Sequence, residues 1–137
     1  MKERANSWFL LALGAVALVA VDAGVSQAQP MRQGREIARK IVVCDTQEQA
    51  KEILETHAME GFAAGAVTYF KWKRTMNEEN QPSCDQGVWR FKPLRRVARF
   101  DQLEFGDEKG DRFLVQIEID GESAYAIVDE DVTSTEI

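Results

Sequence analysis

One histidine and two cysteines are all the imidazole and thiol chemistry that 137 residues hold. A zinc site built from Cys and His needs four such ligands, and Cys44, Cys84 and His57 cannot complete one. No C-x-x-C pair is present to act as a redox couple. A cysteine nucleophile needs an unpaired thiol and a base, and His57 is the sole imidazole available. After residue 28, serine occurs only as Ser83, Ser123 and Ser134, none of them in a G-x-S-x-G turn. There is no glycine-rich phosphate loop, no internal repeat and no low-complexity block. The sequence therefore calls for no cofactor and no metal. Carboxylates are abundant, so a glycosidase-type pair stays open, but nothing singles out two of them.

What is present points to an exported globular chain. Hydrophobic residues make up 45% and charged residues 29%, a globular rather than disordered composition. The net charge of −6 disfavours a nucleic-acid partner. Lys2 and Arg4 precede an unbroken apolar run, Trp8 to Val21 ("WFLLALGAVALVAV"), followed by the small, polar "DAGVSQAQP". This is the three-part layout of a secretory signal peptide. Ser26 and Ala28 have the spacing of a cleavage site, with Val21 and Ala23 as a second candidate. A run of about 14 residues is short of the ~18 needed to cross a bilayer, so no stable membrane anchor is expected after cleavage. The expected organisation is a signal peptide over 1–28 and one domain over 29–137. That domain begins with a short flexible lead-in and ends in an acidic tail. At about 109 residues it buries roughly two-thirds of its unfolded surface and can fold alone.

Export decides how the cysteines read. In an oxidising compartment two lone thiols become a disulfide. A Cys44–Cys84 bridge closes a loop of about 40 residues, worth ~4 kcal/mol by chain entropy. Around it, a β-branched cluster predicts a first strand near Lys40 to Cys44. Thr46 and Gln49 have capping-box spacing, and Ala50, Ile53, Leu54 and His57 or Ala58 share one helical face up to about Met59. His57, at that helix's end, reads as a surface or packing residue. Phe62, Ala63, Ala66, Val67 and Phe70 recur at three and four, marking a second helix to about Met76. Val67 to Trp72 also alternates like a strand, and both readings stay open. After the polar loop "NEENQPS" the signals are β: short strands at Val88–Phe91 and Val97–Phe105, then "RFLVQIEID" with Phe113, Val115, Ile117 and Ile119 on one face. Asp120-Gly121 marks a turn into "SAYAIV". The expected fold is α+β: two N-terminal helices packed on a small antiparallel sheet of about four strands, with one disulfide.

The order Val42-Val43-Cys44-Asp45-Thr46, Glu48-Gln49 in a helix, a second helical stretch, Asn77 before a loop and Cys84 resembles a set of small exported bacterial proteins of uncharacterised function. The similarity covers roughly Ile41 to Asp120. It departs from that pattern in "YFKWKR" and in the basic stretch after Cys84. The resemblance implies export and the disulfide. It carries over no catalytic or ligand residue.

Charge is unevenly spread. Gln86 to Phe100 holds Arg90, Lys92, Arg95, Arg96 and Arg99 and no acid, interleaved with Trp89, Phe91 and Phe100. This is a candidate anion-binding face for lipid head groups or an acidic envelope polymer. The structural alternative is a basic strand beside an acidic one, each cross-strand pair worth ~0.2–1 kcal/mol. From Asp101 onward there are twelve acids against Lys109 and Arg112. Asp107, Glu108 and Asp111 are spaced like calcium ligands, but Lys109 sits where an oxygen belongs. Asp129, Glu130 and Asp131 offer a weak site for a hard cation or, as the simpler reading, keep the tail soluble. The resulting expectation is a periplasmic or secreted, disulfide-stapled protein that binds a partner in the cell envelope. One version is an antagonist of a basic envelope-active protein, steered by the acidic third. The alternatives are a carboxylate hydrolase and a binder of anionic polymer or lipid through 90–99. Nothing in the sequence fixes an oligomeric state.

Overall fold

The computed structural model describes residues 30–134; the expected signal peptide lies outside the described residues. In chain order the elements are β1 (Ile37–Cys44), α1 (Gln47–Glu60), α2 (Phe62–Arg74), β2 (Cys84–Phe105), β3 (Glu108–Ile119) and β4 (Glu122–Val128). All strand pairings are antiparallel, and β1 pairs with both β2 and β4, so the four strands close into a small barrel in the order β1-β2-β3-β4. The α+β class and the single disulfide are as expected. The position of the helices is not: they follow β1 instead of preceding the sheet. The chain leaves β1 at Cys44 and returns into β2 at Cys84, directly opposite in register. The helical hairpin is thus an excursion from the barrel, and the Cys44–Cys84 bridge, with Cα atoms 4.1 Å apart, closes its base.

The two short strands expected at 88–91 and 97–105 are one. β2 runs unbroken for 22 residues: up to Phe91 it pairs with β1, and from Lys92 it pairs with β3. Pro93 falls where the partner changes and where the first of three register shifts begins. Bulges bend a strand and raise its twist, which lets one strand serve two sides of a closed barrel. A proline is tolerated at such a point, where the ladder is already interrupted.

Period-two alternation splits the apolar residues between two cores. Ile37, Ile41, Val43, Trp89, Phe91, Phe113, Val115, Ile117 and Ile119 point inward, with Ala124, Ala126 and Val128 opposite. Cys44, Cys84, Leu103 and Leu114 face outward and are covered by Ala50, Ile53 and Leu54 of α1. Leu114 breaks the polar side of "RFLVQIEID" because the helices lie over it. The segments around Met31 and Thr133 strap one another beside the inner core. Met31 is fully buried, and Gln33 N–H and Thr133 N–H bond reciprocally to Thr133 O and Met31 O at 2.8 and 2.9 Å. Glu130 accepts from Met31 N–H and holds Arg39 at 2.9 Å.

Local signals hold at α1. Thr46 Oγ1 accepts Gln49 N–H at 3.2 Å and Gln49 Oε1 accepts Thr46 N–H at 3.1 Å, a complete capping box. Residues 67–72 are helix. The apolar set that marks α2, however, is not its buried side. Its inward side is Gly65 and Thr68, flanked by half-buried Tyr69 and Trp72. A Cβ at Gly65 would stand 2.8 Å from His57 Cβ, so the glycine is what lets the two helices approach.

Candidate binding surface

Turning α2 about its axis leaves apolar side chains in water. Phe62 is 55%, Val67 68% and Phe70 47% exposed, and Met59 (81%) and Met76 (52%) stand just beyond either end of the helix. On the flank of α2 nearest the barrel, an open cleft of ≈ 430 Å³ is lined by Phe62, Gly65, Ala66, Tyr69 and Phe70. Ile53, Leu54 and His57 of α1, with Ile41, Val42, Phe105, Ile127 and Val128 from the barrel, complete the apolar lining. Its polar lining is Lys40, Gln86, Arg112 and Asp129. A mostly apolar concavity of this size with a few polar groups is the usual form of a binding site.

The side chains around the cleft are held firmly. His57 Nε2 lies 2.7 Å from Glu104 O; a carbonyl only accepts, so Nε2 carries the proton. The ring sits edge-on to Phe105 and Phe62, centroids 4.7 and 5.6 Å away, as a packing histidine. The Arg112 guanidinium stacks 4.1 Å over Phe105. Tyr69 Oη accepts Gln86 N–H at 3.0 Å. Burial, reinforced by the charge of Asp85, pushes its hydroxyl up to about 12. Glu52 ties α1 to α2, accepting from Lys71 Nζ at 2.8 Å and Trp72 Nε1 at 2.9 Å. The Lys71 hydrogen bond is the main reason its carboxyl lies below the ordinary value; partial burial opposes it and the Trp72 bond assists.

The residues singled out in the sequence lie elsewhere. Cys44 and Cys84 are fully buried as a disulfide, which fits an oxidising, non-cytoplasmic compartment. No described helix is long and apolar enough to cross a membrane. Arg90 and Lys92 line a polar recess of ≈ 270 Å³ together with Glu36, Glu118 and Asp120, and Lys92 stands opposite Glu118 in the ladder. Beyond Pro93, Arg95 Nε donates to Gln116 Oε1 at 2.9 Å and Arg96 pairs with Asp131 at 3.2 Å. Arg99 pairs with Asp101 and with Asp111 (3.2 Å), and those carboxylates, Asp101 foremost, raise its pKa. The basic stretch is therefore spread over both halves of a bent strand, with acids interleaved. Asp111 accepts Gln102 N–H at 2.9 Å, which makes it part of a β-bulge. Among the described residues no cluster of three or more His, Cys, Asp or Glu could hold a metal ion.

No family model, curated protein or solved structure matches the chain.

The cleft and the exposed face of α2 were missed in the sequence because apolar residues at helical spacing read as a buried face. The signal was there in the other stripe: Gly65, Thr68 and Trp72, spaced three and four apart, are the small and hydrogen-bonding side chains that a helix–helix contact uses.

Proposed function

We propose that the protein is exported, to the periplasm or beyond the cell, and works there as a binding module, taking a partner on the outward face of α2 and the adjoining cleft. The observation that carries this reading is that Phe62, Val67 and Phe70 stand about half or more exposed on a helix whose first nine residues carry no charge. Such helices are normally covered, and contiguous exposed apolar patches mark interaction sites. A catalytic reading through carboxylates has less support, since Asp129 is the one acid lining the cleft. Capture of a basic partner by the acidic third is also less favoured: Asp101, Asp111, Glu130 and Asp131 already hold Arg99, Arg39 and Arg96.

The test is capture from envelope extract, soluble proteins and membrane fragments alike, on tagged chain starting at Gln29. Both cores, the disulfide and the strap lie within 30–134, so this chain keeps every described contact of the fold. Wild type is expected to retain a partner that Val67→Ser with Phe70→Ser releases. Capture that ignores this substitution, or no capture at any salt concentration, would refute the reading.

A further inference from the structure

The binding role proposed for α2 acquires a partner class from the shape and charge of that face. Val67 projects into water from α2, and Phe70 stands half exposed at the rim of the cleft, along a helix whose thirteen residues give it a length of about 20 Å. α2 contains no acidic residue, and its last turn carries Lys71, Lys73 and Arg74. Glu52 neutralises Lys71; Arg74 is exposed and makes no ion pair among the described residues. On the cleft side Lys40 and Arg112 stand with a single acid, Asp129.

We infer that the outward face of α2 docks on the surface of an anionic lipid bilayer, the helix lying flat with Val67 and Phe70 in the head-group boundary and Arg74 among the phosphates. An interfacial helix of this kind binds through buried apolar area plus attraction to anionic lipid, and each basic side chain near the surface adds about fivefold in affinity. This docking surface is distinct from the basic stretch of β2, in which Arg95, Arg96 and Arg99 are hydrogen-bonded to Gln116 and to acids.

The test is co-sedimentation of the chain from Gln29 with vesicles of phosphatidylcholine alone or mixed with phosphatidylglycerol, at low salt. Wild type is expected to partition onto the mixed vesicles. Val67→Ser with Phe70→Ser should weaken partition at least about tenfold, and Arg74→Gln about fivefold on mixed vesicles only. Val67→Trp should strengthen it, since tryptophan prefers the membrane interface, with an unchanged circular dichroism spectrum and no pellet without vesicles showing that the gain is not misfolding. Arg95→Glu with Arg96→Glu should leave partition within about twofold of wild type. The inference is overturned if no vesicle binds, if the Arg95/Arg96 variant abolishes binding while the α2 variants do not, or if sedimentation velocity shows dimers held through Val67 and Phe70. α2-dependent capture of a protein from envelope extract without vesicle binding would overturn the bilayer and leave the binding role standing; absence of both would remove both.

Discussion

At the scale of the residue, the pieces that read correctly from sequence are those whose partners are near in the chain. Thr46 and Gln49 satisfy each other three residues apart. Asp120 and Gly121 take positive φ values of 53° and 82° in the β3–β4 turn, as an Asp-Gly pair between strands implies. His57 and Gly65 are the opposite case. Each looks unremarkable on its own helix, and only their contact across the hairpin gives them meaning. Helix propensity alone says that Gly65→Ala gains about 1 kcal/mol. Here the new methyl would meet His57 Cβ at 2.8 Å and His57 Cα at 3.2 Å, and overpacking costs ~1–3 kcal/mol. The expected net effect of Gly65→Ala is a loss of up to about 2 kcal/mol in denaturant unfolding; a gain would mean that the hairpin can open without cost.

Among the elements, α2 and β2 carry what the sequence concealed. The continuity of β2 was hidden by Pro93 and by the register shifts on either side of Arg96, which read as a gap between strands; extended backbone passes through because the strand changes partners there. The candidate binding face was hidden because hydrophobic periodicity locates a stripe without saying what the stripe faces. What turns α2 is polar: Trp72 and Lys71 both reach Glu52 on α1. Glu52→Gln keeps an acceptor for Trp72 and removes the charge that Lys71 meets. The folded carboxyl titrates below its ordinary 4.5, so the native state binds its proton less readily than the unfolded chain. Its contribution is present above pH 4.5 and fades as pH falls through the lower folded value. Since both partners are about half exposed, screening holds the effect below about 1 kcal/mol. Wild type should therefore exceed Glu52→Gln in stability near neutrality and match it in strong acid. A difference unchanged by pH would mean that packing of the side chain, and not its charge, matters.

For the whole molecule, closure of the barrel had no local signature: β1 meets β4 through Val42–Ile127, Val43–Ala126 and Cys44–Tyr125, pairs more than eighty positions apart. The cysteine pair was legible, yet its mechanical role depends on that closure, because Cys44 joins the barrel to the start of the helical excursion and Cys84 to its end. The bridge belongs to the outer core, while the inner core closes without it. Removing it frees a loop of about 40 residues, for which chain entropy gives ~4 kcal/mol, a large share of the 5–15 kcal/mol typical of a domain. The loss should fall mainly on the helix layer, and the two tryptophans of the chain from Gln29 can report it separately: Trp72 lies in the outer core and Trp89 in the inner. Single-tryptophan forms, made with Trp89→Phe or Trp72→Phe, should show one shared denaturant midpoint while the disulfide is intact. In the Cys44→Ala, Cys84→Ala background the Trp72 signal is expected to be lost at lower denaturant than the Trp89 signal, the helical hairpin detaching from a barrel that persists. Midpoints that fall together by the same amount would show that the two cores form one cooperative unit, in which case the staple stabilises the barrel as directly as it does the binding surface.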